Sequence, residues 1–239
     1  MTIIAACGLK REARIIAAAG GDMVAVIGGG VAAALERALE QAVQSDSCHP
    51  GEGRGPVATG PMPDPGLGRG GELPLILSCG IAGALDPSLA PGDVVIDGDA
   101  GVAGHLRAAL PDALVGRIVG SDAIAAAAAD KRALAQRTGG VAVDMESHVA
   151  ARVAARHGLP FGAIRVISDR LEDDLPPAAL VGMRPDGGMA LDAVLASLAR
   201  RPGQLPALIR TGRQADRAFA GLKAAMAAVG RAGIFQMEI

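Results

Sequence analysis

The stretch from residue 141 to residue 169 constrains the fold more than any other part of the chain. It reads VAVDMESHVAARVAARHGLPFGAIRVISD, which predicts a strand end, a helix, a turn and a second strand. The helix would bury an apolar stripe at helical spacing, formed by Val149, Ala150, Val153 and Ala154. Asp144 or a neighbour can cap this helix, and Gly158 followed by Pro160 ends it.

Two charged residues interrupt the apolar pattern of this stretch. Glu146 lies one turn before Val149 on the buried stripe, and Arg165 interrupts the almost continuously apolar strand 161–168. Period-two alternation puts Arg165 and Asp169 on one face, at the strand end where open α/β sheets bind ligands. An unpaired guanidinium inside a sheet is costly, so we expect Glu146 to be its partner. Spacing alone leaves open whether this pair is structural or functional.

Apolar segments of strand length alternate with helical ones along the rest of the chain. Strands are expected at 2–7, 23–27, 73–78, 94–96 and 115–119. One helix is expected to begin at Gly8, and a second to follow the glycines at 28–30 and run to about residue 43. Further helices are expected at 124–137, 190–200 and 205–229. This alternation predicts an α/β fold with a largely parallel sheet. Residues 175–185 are predicted to be a loop broken by prolines. Residues 44–72 are rich in Gly and Pro and predict a mobile insertion in one domain spanning 1–239.

Two further segments have both a structural and a functional interpretation. Glu12 lies in or near the first turn of a helix, where the helix dipole favours a carboxylate. The glycines at 28–30 allow a tight turn or a close approach to a ligand. They are not followed by the rest of the GxGxxG pattern, which argues against a nicotinamide cofactor. The small residues at 79–84 let a ligand approach the backbone.

Composition excludes several classes of function. The formal net charge is -2 and aromatic residues make up 1% of the chain, so nucleic acid is not expected as a partner. Cys7, Cys48 and Cys79 lack metal-ligand spacing and predict reduced thiols in a cytoplasmic protein with no bound metal. No secretory signal and no membrane-spanning segment is predicted.

The motifs VDMES and IRVISD, with SCGIAGALDPSLAPGDVVI before them, resemble the nucleoside phosphorylase and nucleosidase superfamily over nearly all of the chain outside 44–72. The segments AVDMESHVAARVAARHGLPF, LPPAALVGMRPDGG and LARRPGQLPALIR are similar to its hopanoid-associated phosphorylases. The resemblance implies a single-domain, three-layer fold with a mixed, mostly parallel sheet flanked by helices. It also implies cleavage of adenine from adenosylhopane, leaving a ribosyl-type hopane, with no cofactor and with phosphate as a conceivable co-substrate. We expect a homo-oligomer.

The resemblance also assigns roles by position. Glu12 would activate the attacking water, Glu146 would hold the ribose hydroxyls, and Asp169 would help to protonate N7 of the departing purine. The other implied contacts are Met145 on the sugar, Ser168 beside Asp169, Arg165 orienting the acidic groups, and the cleft backbone at Gly80, Ile81 and Ala82. These residue types suit the reaction, because positive charge develops on the sugar and negative charge on the base.

Three positions depart from the pattern of the resembling enzymes. Phosphorolytic members bind phosphate with an Arg and a Ser where this chain has Ser78 and Ile81. We therefore expect hydrolysis rather than phosphorolysis. The nucleosidases place a Phe against adenine where this chain has Ile124, which is expected to change the selectivity for the base.

The expected substrate is very apolar, so the C-terminal segment 205–235 is of interest. Its apolar face can pack on the domain or on a second subunit, or it can contact the inner membrane peripherally. Two other functions remain open: a nucleosidase or phosphorylase acting on a small purine nucleoside such as methylthioadenosine, and a nucleoside-binding protein without activity.

Overall fold

A sheet of eight strands forms the middle layer of the computed structural model. The structure describes residues 2–20, 23–47, 73–182, 184, 187–188 and 190–233. The strands are β1 (Ile3–Cys7), β2 (Met23–Ile27), β3 (Leu75–Ala84), β4 (Val94–Gly98), β5 (Leu114–Val115), β6 (Ile118–Gly120), β7 (Ala142–Asp144) and β8 (Phe161–Asp169). The helices are α1 (Lys10–Ala18), α2 (Ala32–Ser47), α3 (Ala100–Ala109), α4 (Ala128–Thr138), α5 (Ser147–His157), α6 (Pro177–Leu180), α7 (Leu191–Arg200) and α8 (Leu205–Arg231).

The strand order is β2-β1-β3-β8-β4-β5, and β7 joins the end of β3 and carries β6. Strands β1, β2, β3 and β8 are parallel to one another, as are the pairs β4–β5 and β6–β7. The antiparallel pairs in the described residues are β3–β7 and β4–β8. The predicted α/β fold, with a mixed but mostly parallel sheet flanked by helices, is confirmed.

Helices cover both faces of the sheet. On one face, Leu222 and Met226 of α8 share a buried cluster with Val166 of β8. On the other face, α2 and α5 pack together, and Val149 and Val153 lie in their core as the stripe predicted. Strands β3 and β8 lie at the centre and are buried almost throughout, because both of their faces are covered.

Several element boundaries differ from the prediction. Strand β3 continues to Ala84 instead of ending at Ser78, because the small residues 79–84 still pair with β8 and β7. The strand expected at 115–119 is divided into β5 and β6. Helix α2 runs to Ser47, and the rest of the predicted insertion lies outside the described residues. Helices α3 and α6 were not predicted.

The helix expected at 124–137 begins only at Ala128. The Asp174 side chain accepts the Ala128 N–H at 2.7 Å, and the Leu175 N–H donates to the Ala126 carbonyl at 2.9 Å. These two bonds tie the loop after β8 to the start of α4. Residues 124–127 therefore remain a loop.

The packing of α8 shows which part of the C-terminal segment contacts the domain. Its second half packs on the domain, since Phe219, Leu222 and Val229 are buried. Its first turns leave Leu205 and Ile209 about half exposed. Within the described residues, no helix is long and apolar enough to cross a bilayer.

Candidate active site

A cavity of about 190 Å³ opens at the C-terminal ends of β1, β3 and β8. Most of the predicted site residues line it: Glu12, Ile81, Ala82, Ile124, Met145, Glu146, Ser168 and Asp169. Gly80 and Arg165 are not among the lining residues, and Arg165 is completely buried. The cavity lies at the sheet edge where open α/β folds bind ligands. The structure thus brings the predicted residues together, while their roles stay predictions.

Glu12 is held at the cavity by three backbone N–H groups. Its Oε2 accepts from Gly8 at 2.9 Å and Leu9 at 2.8 Å, and its Oε1 accepts from Ile81 at 2.9 Å. Because Glu12 is the third residue of α1, the first two bonds satisfy the free N–H groups at the helix start. Glu12 therefore stabilises the start of α1, as its structural interpretation predicted. The bond to Ile81 links the same carboxylate to the cavity wall.

Burial raises the pKa of Glu12 despite the nearby Arg165 guanidinium and the three N–H donors. Burial also raises the pKa of Glu146, to about 8, again against the attraction of Arg165 and helped by repulsion from Asp144 and Glu12. Both carboxyl groups lie against Gly8, where a side chain would overlap Glu146 Oε1. One end of the cavity therefore holds two carboxyl groups with raised pKa values, and the pKa of about 8 for Glu146 suits proton transfer near neutral pH.

Arg165 lies behind this end of the cavity, and its main partner differs from the prediction. Its Nη2 forms an ion pair with Asp144, contacts Ser78 Oγ at 2.6 Å, and lies 3.6 Å from Glu146 Oε2. Glu146, the expected partner, thus lies within ion-pair distance of Arg165, but Asp144 lies closer. Asp144 also accepts the Ser147 N–H at 2.9 Å, capping α5 as predicted, and this fixes its carboxylate beside Arg165.

Gly80 is required by the close approach of two charged side chains. A Cβ at this position would overlap Arg165 Nη1 and lie 2.6 Å from Glu12 Oε1. Gly80 therefore contributes space behind the cavity rather than a lining surface. Three residues further along β3, the Cβ position of Gly83 lies 3.2 Å from Asp169 Oδ2. At about 3.3 Å per strand residue, Gly80 and Gly83 are about 10 Å apart along β3.

A break in strand register places Asp169 at the second end. Ala82 pairs with Ile167 and Gly83 with Asp169, which leaves Ser168 as an extra residue. Such a bulge re-aims the side chains that follow it, so simple alternation from Arg165 does not describe Asp169. Asp169 is 5% exposed, and its Oδ1 lies 2.8 Å from Ser168 Oγ.

Sequence reasoning missed Lys131, which approaches Asp169 from α4. Its Nζ lies 2.6 Å from Asp169 Oδ2, and the side chain is completely buried. The charged neighbours Asp130 and Arg132 are exposed. The sequence around Lys131 is thus typical of a solvated helix face and did not indicate that Lys131 is buried.

The pH dependence of stability should report the burial of Glu146. Its pKa of about 8 in the folded state exceeds the ordinary value of 4.5, so the folded protein holds a proton that the unfolded chain has lost. This stabilisation is complete below about pH 4.5 and is lost as the pH rises through about 8. We expect the decrease in melting temperature between pH 5.5 and pH 8.5 to be at least about 3 °C smaller in Glu146→Gln.

Thermal denaturation followed by circular dichroism measures this difference. The exposed Glu172→Gln is the matched control and should follow the wild type. An unchanged pH dependence in Glu146→Gln would show that Glu146 is not buried as described.

Comparison with known proteins finds a family model that matches part of the chain and several solved structures with the same fold. A family model described as the phosphorylase superfamily matches residues 98–200. The S-adenosylhomocysteine nucleosidase of Streptococcus pyogenes, solved with 5-methylthiotubericidin, superimposes with a TM-score of 0.66 at 14% identity, over 100% of this chain and 98% of that one. No curated protein sequence matches significantly.

Two further enzymes share the fold. The 5'-methylthioadenosine/S-adenosylhomocysteine nucleosidase of Neisseria meningitidis, solved with methylthio-immucillin-A, gives a TM-score of 0.63 at 15% identity, covering 95% of this chain and 97% of that one. Futalosine hydrolase of Helicobacter pylori gives 0.57 at 13% identity, covering 94% and 97%. The predicted nucleoside-phosphorylase-like fold is confirmed.

Proposed function

We propose that this protein cleaves the N-glycosidic bond of an adenine nucleoside. The observation that carries the proposal is that Glu12, Glu146 and Asp169, far apart in the chain, line one cavity. Two carboxyl groups lie at one end and the third lies at the other, and Gly80 beside Glu12 and Gly83 beside Asp169 are about 10 Å apart along β3. That length fits a ribose followed by a purine. The shared fold of enzymes named as nucleosidases supports the same reaction.

In the proposed reaction the bond between C1′ of the sugar and N9 of the purine breaks, leaving oxocarbenium character on the sugar. Glu146 accepts hydrogen bonds from the ribose hydroxyls, Met145 packs on the sugar, and Glu12 takes a proton from the attacking water. The purine lies at the Asp169 end beside Ile124, which is 40% exposed. Positioned carboxyl groups act on both developing charges, as glycoside-cleaving enzymes require.

Water is the proposed nucleophile because the cavity does not suit an inorganic anion. Its described lining includes four acidic residues, Glu12, Asp144, Glu146 and Asp169, and no Lys, Arg or His. Ser78, at a position that phosphorolytic relatives use for phosphate, is bound to Arg165. A phosphate here would face these acidic residues, while the nearby described cations, Arg165 and Lys131, are already paired with Asp144 and Asp169. Hydrolysis predicts free ribosyl product whether or not phosphate is present, and a ribose-1-phosphate product would overturn this part of the proposal.

The proposed substrate is adenosylhopane, processed in the cytoplasm or at the inner membrane during hopanoid biosynthesis. Apolar side chains support this choice: Leu175 lines the cavity, and Leu180 and Val181 follow it about 40% exposed. Exposed Leu205 and Ile209 of α8, next to Arg210, form a surface suited to contact with lipid or with a second subunit of a homo-oligomer. Sedimentation with anionic vesicles, alone and with Ile209→Ser, tests the membrane contact.

The test of the function is release of adenine by the purified protein. Adenosylhopane and methylthioadenosine are supplied separately, and free adenine is measured. We expect adenine from adenosylhopane. Turnover of methylthioadenosine alone would replace the hopanoid substrate by a small nucleoside. Binding of either compound without adenine release would mean that the chain is a nucleoside-binding protein.

A further inference from the structure

Lys131 is not used in the reaction proposed above, but its side chain contacts Asp169, which is. Its Nζ lies 2.6 Å from Asp169 Oδ2 and donates to the Arg170 carbonyl at 2.5 Å. The Lys131 side chain is 0% exposed and the Asp169 side chain 8% exposed. Lysine is almost never fully buried without a partner. This ion pair therefore stands at the purine end of the cavity with almost no access to water.

The pair changes what Asp169 can do. The Lys131 ammonium group donates to Asp169 Oδ2, so the carboxylate does not act on the purine independently of the lysine. We propose that Lys131 is a positioning residue that turns the Lys131–Asp169 pair into one acid with one transferable proton. This inference rests on the proposed function, in which the departing purine gains negative charge.

The proton transfer can be written with every bond accounted for. When the C1′–N9 bond breaks, its electron pair enters the purine ring. One N–H bond of the Lys131 ammonium breaks and the proton passes to Asp169, which delivers it to a purine nitrogen, where a new N–H bond forms. Asp169 is again a carboxylate and Lys131 is left as a neutral amine. After adenine has left, a proton from solvent in the cavity returns to Lys131 through Asp169, which lines the cavity.

The Lys131 variants retain all the other charged residues that surround the Lys131–Asp169 pair in the described residues. They are Glu12, Asp144 and Glu146 at the cavity, Arg165 behind it, Asp174 at the start of α4, and the exposed Asp130 and Arg132 of α4. A pH profile that changes only with residue 131 therefore reports on Lys131 and the carboxylate it contacts.

The test is kcat for adenine release from pH 5.5 to pH 9 in the wild type and three variants. The raised pKa values of Glu12 and Glu146 give the wild type a pH dependence of its own, so each variant is compared with the wild type as a ratio of kcat at the same pH. In Lys131→Met, the unpaired buried Asp169 takes up a proton and can still donate it at low pH. Its rate should fall about tenfold per pH unit once Asp169 ionises, to at least about 30-fold below wild type at pH 8.5. Arg132→Met, on the same helix, should follow the wild type.

Lys131→Arg separates charge from proton donation. A guanidinium can pair with Asp169 but does not release its proton, so this variant should be slower than the wild type by the same factor at every pH. A Lys131→Met profile parallel to wild type, or a Lys131→Arg rate equal to wild type, would overturn the inference. The folded fraction of each variant is measured by circular dichroism at every pH and kcat is expressed per folded molecule, so partial unfolding of a variant leaves the test intact. A wild type that releases no adenine at any pH would instead refute the proposed function.

Discussion

Replacing Glu12 with glutamine is expected to lower kcat for adenine release by about 10²- to 10⁴-fold. Glutamine keeps the size of the side chain but cannot take a proton from water. Glu12 is the carboxyl group that connects the start of α1 with the cavity wall at Ile81, so its loss removes the proposed base without removing the cavity. The expected change is in kcat more than in KM, since the ribose contacts of Glu146 remain.

The measurement needs a control for folding, because the amide nitrogen that the substitution introduces would face a backbone N–H. One lost hydrogen bond of this kind costs about 1–3 kcal/mol, so the thermal transition of Glu12→Gln is recorded beside its activity. The exposed Glu172→Gln controls for the loss of a negative charge. A Glu12→Gln protein that is folded and within about threefold of wild-type activity, far from the loss expected of a missing base, would mean that Glu12 is only a helix-capping residue.

Replacing Arg165 with methionine is expected to have the largest effect on stability. Arg165 is the buried cation facing Asp144, Glu146 and Glu12. Removing one partner of a buried ion pair leaves an uncompensated charge and typically costs about 3–5 kcal/mol. For a chain of this size that lowers the melting temperature by roughly 10 °C. Thermal denaturation at pH 7 measures the change.

The matched control is Arg184→Met, which removes an exposed arginine. Arg184 and Asp192 form a 2.9 Å ion pair with side chains 53% and 77% exposed, and such surface pairs contribute at most about 1 kcal/mol. Equal destabilisation by the two substitutions would contradict the description of Arg165 as a buried structural cation.

Periodicity predicted the framework of the fold because burial repeats along the chain. The apolar stripe of α5 and the covered strand β8 follow directly from their spacing. The continuation of β3 to Ala84 and the loop at 124–127 could not be predicted, because they depend on partners remote in the chain. β3 is extended by pairing with β7 and β8, and α4 is shortened by the Asp174 side chain.

The sequence revealed the site residues whose charge interrupts an apolar pattern, and it did not reveal a site residue that lies among other charged residues. Glu146 and Arg165 interrupt apolar patterns, so a buried charge was visible in the sequence. Lys131 has charged neighbours at 130 and 132, so only the tertiary structure shows its burial against Asp169. The expected pairing of Arg165 with Glu146 is present, but the closer contact with Asp144 was not predicted, because these two acidic residues are two positions apart and only side-chain geometry distinguishes them.

The most direct measurement is a single-turnover assay of adenine release from an adenine nucleoside by the wild type, Glu146→Gln and Asp169→Asn. If the carboxyl groups at both ends of the cavity act on one glycosidic bond, the wild type releases one adenine per active site and both variants are slower by at least about 100-fold. Undiminished release by both folded variants, or no adenine from the wild type, would contradict it.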